Sequence, residues 1–160
     1  MELCGFSADV NGLKALSSEL DTRIKSLESE IYSLVGYEFN LNSPKQLGVA
    51  LFEKLGLPAK KKTKSGYSTG AEVLEGLKNE HPAVSLLLNY RQLAKLKSTY
   101  ADGLQDCIAE DGRIHSTFNQ TEARTGRISS LEPNLQNIPV RTAEGRRLRE
   151  YFNAPAGRAL

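Results

Sequence analysis

A seam of leucine and isoleucine, Leu13, Leu16, Leu20, Ile24, Leu27, Ile31 and Leu34, recurs at three- and four-residue steps near the start of the chain. Only a helix gathers such positions onto one stripe, so the spacing predicts a long helix with an apolar face that must pack against another element. The seam lasts too few heptads to demand a free-standing coiled coil. Ser43-Pro44-Lys45-Gln46 predicts a second helix: a serine cap, proline at the first helical position, and glutamine three residues after the cap to close a capping box. That helix is expected to stop near Leu55, where Gly56 can take the left-handed conformation and Pro58 prevents resumption. Thr69-Gly70-Ala71-Glu72 reads as another capping box. Pro82 opens a further helix running to about Tyr100, with Val84, Leu87 and Leu88 facing inward.

The texture then changes. Asp111-Gly112 is a turn signal, and Ile114, Ser116 and Phe118 alternate with Arg113, His115 and Thr117 as in a strand. The predicted class is α+β, mostly α: helices first, then strand-like texture after Asp111-Gly112. At 160 residues the chain can bury one core, or a modest domain and the beginning of another.

Charge alone points nowhere, because 21 Lys+Arg against 19 Asp+Glu leaves a net charge of +2. Its distribution says more. Lys60, Lys61, Lys62 and Lys64 form a basic loop with Ser65-Gly66 and Ser68-Thr69, although a run of charge is usually just a solvated face. Arg91, Lys95 and Ser98 fall at i, i+4 and i+7, so they share one basic, polar helix side; a solvated flank would look the same. Cys4 and Cys107 lie far apart without metal-ligand spacing and read as reduced thiols of a cytoplasmic protein. His81 and His115 have no companions, so they read as structural, and no metal is assigned. No apolar stretch reaches membrane-spanning length, and the start lacks a signal-peptide layout.

Residues 125–141, Thr-Gly-Arg-Ile-Ser-Ser-Leu-Glu-Pro-Asn-Leu-Gln-Asn-Ile-Pro-Val-Arg, cluster hydrogen-bond donors without a buried-core pattern. Arg, Asn and Gln side chains can donate to purine N3 and pyrimidine O2, acceptors that every correct base pair presents in nearly the same place in the minor groove. Such donors test pairing geometry without reading sequence. Arg127 and Arg141 would add attraction to phosphate. A polar loop whose amides cap its own backbone is the plainer alternative.

Almost residue for residue, this run is similar to the TGR(L/I)SS…PNLQNIPVR segment of family A DNA polymerases, the bacterial DNA polymerase I type. The resemblance extends to Asn42-Ser43-Pro44-Lys45-Gln46-Leu47, to Leu55-Gly56-Leu57-Pro58, to the stretch from Tyr90 to Tyr100, and to Gly112-Arg113-Ile114-His115-Ser116-Thr117-Phe118-Asn119-Gln120-Thr121. It spans essentially the whole chain in family order. Glu122-Ala123-Arg124 departs from the small and hydroxyl residues typical there.

The resemblance implies a DNA-directed DNA polymerase, with residues 1–104 as its helical thumb and 105–160 as the opening of its palm. Arg127, Asn134, Gln136 and Asn137 would then monitor the minor groove near the primer end. Asn42, Ser43, Lys62, Thr63, Lys64, Ser68, Thr69, Arg91, Lys95, Ser98 and Arg141 would contact the DNA backbone, although capping alone explains Asn42 and Ser43 equally well. No catalytic residue is expected in the chain. The family's carboxylates for Mg2+ come after the position of Leu160, so the chain is expected to be an inactive internal piece. Its expected partners are primer-template DNA and, in the intact enzyme, deoxynucleoside triphosphates; it is expected to be monomeric and not membrane-bound. A stand-alone, non-catalytic duplex-binding module is the alternative.

Overall fold

A computed structural model describes residues 2–59, 62–63 and 66–153. The first half holds strand β1 (Phe6–Ala8), helix α1 (Val10–Val35), helix α2 (Pro44–Gly48), which continues as a π-helical segment over Val49–Lys54, the paired strands β2 (Lys62–Thr63) and β3 (Gly66–Tyr67), and helix α3 (Ala71–Glu75). Then come helix α4 (Pro82–Leu96), a second π-helical segment over Lys97–Asp102, helix α5 (Gly103–Asp106), strands β4 (Arg113–Ile114), β5 (Thr117–Asn119) and β6 (Ser129–Leu131), helix α6 (Ala143–Glu150) and strand β7 (Phe152–Asn153). The class is α+β and mostly α, as expected.

The described residues fall into two compact units, Thr22–Ala94 and the remainder on either side of it in sequence. The beginning of the chain belongs to the second of these units because of β1. Its three residues are the middle of a small antiparallel sheet, pairing Phe6 with Ile114 on one side and Ala8 with Phe152 on the other. Backbone pairing therefore ties the beginning of the chain to its last described strand.

In the unit Thr22–Ala94, apolar burial dominates. Leu27, Ile31, Leu47, Leu51, Leu74, Leu77, Val84, Leu87 and Leu93 are buried. The seam of α1 is buried from Leu13 to Ile31, but Leu34 is 41% exposed. It sits in the last turn, where Gly36, at φ 89°, takes the left-handed conformation that ends the helix. Tyr32 packs edge-on against Phe39 and donates its hydroxyl to the Phe39 carbonyl at 2.8 Å. Gly56, at φ 64°, terminates the second helical stretch as expected.

Two capping expectations need correction. Gln46 does not reach back to the Ser43 amide: its Oε1 accepts from Asn40 N–H at 2.7 Å, because Ser43 N–H already donates to the Asn40 carbonyl at 3.0 Å. Thr69 is not the cap of α3. Gly70 holds that position without a side-chain bond, one residue later than expected, and Thr69 is buried.

In the other unit, Asp9 caps α1 through its side chain on Gly12 N–H at 3.0 Å. Thr142 caps α6 by accepting from Gly145 N–H at 3.1 Å. The single strand expected over 113–118 is two strands in two sheets. Its alternation survives the break, since Ile114 and Ser116 are buried while Thr117 is exposed. β5 and β6 form a hairpin in which Thr117 faces Leu131, Phe118 faces Ser130 and Asn119 faces Ser129.

Candidate nucleic-acid interface

The β5–β6 hairpin carries the polar run. Arg127, Asn134, Gln136, Asn137 and Arg141 are exposed. An open groove of about 720 Å³ lies among Ala123, Arg127, Ile128, Ser129, Gln136 and Asn137. Three of the four residues expected to read base edges therefore border one concave surface, and Gly126, at φ 74°, supplies the left-handed turn just before Arg127.

Part of the run's hydrogen-bonding capacity is spent on its own backbone. Asn134 Oδ1 accepts from Gln136 N–H at 3.0 Å, closing an Asx turn, and Gln136 Nε2 donates to the Ile128 carbonyl at 2.5 Å. The turn uses the accepting oxygen of Asn134 and not its amino group. The plainer reading, amides that cap their own backbone, thus holds for one atom each of Asn134 and Gln136. It does not describe Arg127.

Behind this surface lies a cluster of buried hydroxyls that the sequence reading did not single out. Ser116 Oγ and Ser130 Oγ are 2.7 Å apart, and both residues are buried. Ser116 Oγ is within bonding distance of the Leu131 carbonyl at 3.1 Å and the Pro133 carbonyl at 2.9 Å. Ser130 Oγ accepts from Leu135 N–H at 3.2 Å. The Tyr100 hydroxyl donates to the Asn137 carbonyl, and burial raises the pKa of that phenol. The signal for Ser116 was present: it falls on the apolar side of the Ile114–Phe118 alternation, where a hydroxyl needs a partner.

The residues expected on the DNA backbone are placed less uniformly. Asn42 is exposed and Ser43 half-buried. Ser43 Oγ accepts from Gln46 N–H at a long 3.5 Å, and Tyr90 OH donates to Asn42 Oδ1 at 3.5 Å. Lys62 and Thr63 form β2, paired with Tyr67 and Gly66; Lys64 lies outside the described residues. Ser68 is half-buried. Thr69 and Arg91, expected as independent contacts, are bonded to each other: the guanidinium donates to the Thr69 carbonyl at 2.5 Å and to its Oγ1 at 3.4 Å. Burial lowers the Arg91 pKa. Thr69 thus serves as the acceptor that holds Arg91.

Lys95 and Ser98 are both exposed. The stripe they were expected to share with Arg91 is interrupted, because α4 ends at Leu96 and Ser98 belongs to the π-helical segment, whose closing bond runs from Gly103 N–H to the Ser98 carbonyl. The wider i→i+5 turn of that segment departs from the three- and four-residue spacing used to group Ser98 with Lys95. Lys97 bonds Asp102 at 2.8 Å, and Ser17 donates to the same carboxyl at 2.5 Å. Burial pushes the Asp102 pKa upward, but these two partners outweigh it and the net shift is down. Arg147 makes a bidentate ion pair with Glu19 at 2.8 and 2.9 Å.

Both histidines have local backbone work. His81 Nδ1 accepts from Ala83 N–H at 3.1 Å at the start of α4, and His115 lies 2.6 Å from the Glu2 carbonyl through Nδ1 and 3.0 Å from Asp111 through Nε2. Among the described residues no three His, Cys, Asp or Glu side chains gather into a metal-holding group. None of the described helices is long and apolar enough to cross a membrane.

Comparison with known proteins places these features in context. The sequence profile of DNA polymerase family A matches residues 10–160. DNA polymerase I of Lactococcus lactis subsp. cremoris is 54% identical over 152 residues, 95% of this chain and 17% of that protein. DNA polymerase I of Bacillus subtilis is 52% identical over 153 residues, again 95% of this chain and 17% of its own length. A solved structure of the POL domain of Pol1 from M. smegmatis, in complex with DNA primer-template and dNTP, superposes with a TM-score of 0.87 at 49% identity, covering 98% of this chain and 28% of that one. The chain spans about a sixth of the length of these curated relatives.

Proposed function

Because this chain belongs to DNA polymerase family A, we propose that it is the duplex-holding piece of a DNA-directed DNA polymerase, binding primer-template DNA for template-directed nucleotidyl transfer. Arg127, Asn134, Gln136 and Asn137 face the minor groove beside the primer end, where donors to N3 and O2 accept all correct pairs and weaken at distorted ones. Asn42, Ser43, Lys62, Thr63, Lys64, Ser68, Arg91, Lys95, Ser98 and Arg141 supply attraction to the DNA backbone, with Thr69 orienting Arg91. The supporting observation is the exposed, donor-bearing wall of the groove at Arg127, Gln136 and Asn137, in a run whose backbone is bonded to the buried pair Ser116 and Ser130.

The chain works as part of an intact enzyme that also binds deoxynucleoside triphosphates. Mg2+ held there by carboxylates would stabilise the attacking hydroxyl and the departing pyrophosphate. The described residues offer no fitting cluster, so no residue of this chain is assigned to the ions. By itself the chain binds duplex and does not synthesise DNA; it acts as a monomer in the cytoplasm.

Equilibrium binding of the chain to a primer-template duplex across a salt series tests this reading. Affinity should fall with salt, with a log–log slope of about −0.9 for each phosphate neutralised. A flat response overturns it. In the full-length polymerase, Arg127→Ala should slow single-turnover addition and blunt sensitivity to a mismatched primer end, at a cost of about 1–3 kcal/mol. Extending the reading frame past Leu160 separates the enzyme from a stand-alone binding module: an aspartate-bearing strand supports the former, a stop codon the latter.

A further inference from the structure

The buried serine pair has a donor count that points its bonding in one direction. Each hydroxyl carries a single hydrogen, and one of the two must lie between the oxygens, 2.7 Å apart. If Ser116 donates to Ser130, the Ser130 hydrogen reaches the Pro133 carbonyl at 3.2 Å. If Ser130 donates to Ser116, the Ser116 hydrogen reaches the same carbonyl at 2.9 Å, or that of Leu131 at 3.1 Å. Pro133 is within reach of a hydroxyl hydrogen in both arrangements. Ser130 Oγ meanwhile accepts from Leu135 N–H at 3.2 Å, so the pair grips the backbone on both sides of Asn134.

Every partner of this pair outside the pair itself, Leu131, Pro133 and Leu135, belongs to the segment that leads into Gln136 and Asn137. Glu132, inside it, sits at φ 47°, a conformation uncommon for a residue with a side chain and kept only when its surroundings fix it. An apolar pair would fill the space behind the hairpin without directing anything. Two buried hydroxyls cost desolvation unless bonded, and their bonds are directional.

We infer that Ser130, assisted by Ser116, is a positioning residue that sets the orientation of Asn134, Gln136 and Asn137 toward the terminal base pair, and so determines how strongly the surface distinguishes a paired from a mismatched primer end. The inference rests on the proposed reading that this run faces primer-template DNA. Ser130 matters more than Ser116. Without Ser116, Ser130 still serves Pro133 and Leu135. Without Ser130, the Leu135 N–H loses its acceptor.

The test measures equilibrium binding of the 160-residue chain to two primer-template duplexes that differ only in whether the terminal pair is correct. Ser130→Ala should reduce the paired-to-mismatched affinity ratio by about fivefold or more with the salt slope unchanged, Ser116→Ala by less, and Ser130→Thr, which keeps the hydroxyl, should restore it. A wild-type chain that discriminates, with both alanine variants discriminating equally well, overturns the inference and leaves the duplex-binding reading standing. So does an equal loss of affinity for both duplexes that threonine does not restore, since that marks general destabilisation. Should Ser130→Ala fail to fold, Ser130→Cys, which keeps the shape but bonds only weakly, takes its place: a reduced ratio supports positioning and an unchanged one overturns it. Absence of salt-dependent binding by the wild-type chain removes the underlying reading and this inference with it.

Discussion

Helix α4 and the segment from Ser129 to Asn137 are held by different physics. The helix buries Ala83, Val84, Leu87, Tyr90, Leu93 and Leu96 along one face. From Ser129 to Asn137, the run buries one residue, Ser130, and is otherwise fixed by bonds to Leu131, Pro133, Leu135 and Asn137. Apolar burial is strong but non-directional and tolerates reshaping if volume is kept. Hydrogen bonds stabilise less, but they fix angles. A scaffold needs the first and a surface that judges geometry needs the second, so mutations in the two regions should fail in different ways.

The sharpest contrast comes from Leu87→Ala. Leu87 is 1% exposed, and its truncation leaves a cavity expected to cost about 2–5 kcal/mol. Denaturant titration should show a lower midpoint with an unchanged slope, while the molecules that remain folded keep the wild-type paired-to-mismatched ratio. A changed ratio would mean that the two regions are not separable. A smaller effect is expected at Arg91→Met, which keeps the apolar stem but removes the bonds to Thr69. About 1–2 kcal/mol of stability should be lost, measurable by the same titration. Loss of duplex affinity without loss of stability would instead make Arg91 a pure phosphate contact.

Caps provide a finer comparison within one class of bond. Thr142 accepts from Gly145 N–H at 3.1 Å, whereas Ser43 accepts from Gln46 N–H at 3.5 Å. Thr142→Ala should therefore cost about 1 kcal/mol and Ser43→Ala less, read as shifts in denaturant midpoint. Equal costs would show that the longer bond is as good as the shorter.

What the sequence could and could not disclose follows the same division. The seam from Leu13 to Ile31, the stop at Gly56 and the helix opening at Pro82 were legible because each is local: a period, a left-handed glycine, a fixed φ. The exposure of Arg127, Asn134, Gln136 and Asn137 was legible from residue chemistry in an unbroken run. Pairing of Phe6 with Ile114 was not, because a three-residue strand has no period and its partner lies more than a hundred residues away. The Arg91–Thr69 bond and the Arg147–Glu19 ion pair were hidden because neither follows from a local period, and an arginine in sequence looks equally ready for phosphate, carbonyl or carboxylate. The π-helical segment over Lys97–Asp102 carries no breaker that would announce it, so Ser98 was placed by a repeat that had already ended.

The smallest expected effect concerns the short connection between β4 and β5, where His115 has acceptors at both ring nitrogens. The Glu2 carbonyl and, after it, the Asp111 carboxylate raise the His115 pKa above its usual value, and His115 lowers that of Asp111. The signs define a window. A histidine whose pKa is higher when folded adds stability that is complete below the unfolded value, about 6.5, and is lost as pH rises through the folded one. Asp111, lowered, adds stability above its unfolded value of 3.8 that is lost as pH falls through the folded one. The pair should therefore contribute most between about pH 4 and 6.5. Denaturant midpoints of the wild type and His115→Gln should lie furthest apart near pH 5.5 and converge toward pH 8, by a small amount because the pair is exposed to solvent. Arg113 also donates to the Cys4 carbonyl at 2.7 Å and Phe118 N–H to Glu2 Oε1 at 2.6 Å, so the segment keeps further attachments when His115 is replaced. A gap that widens toward pH 8 would show that the imidazole is held neutral, with one ring nitrogen accepting, and would reverse the assignment of its partners.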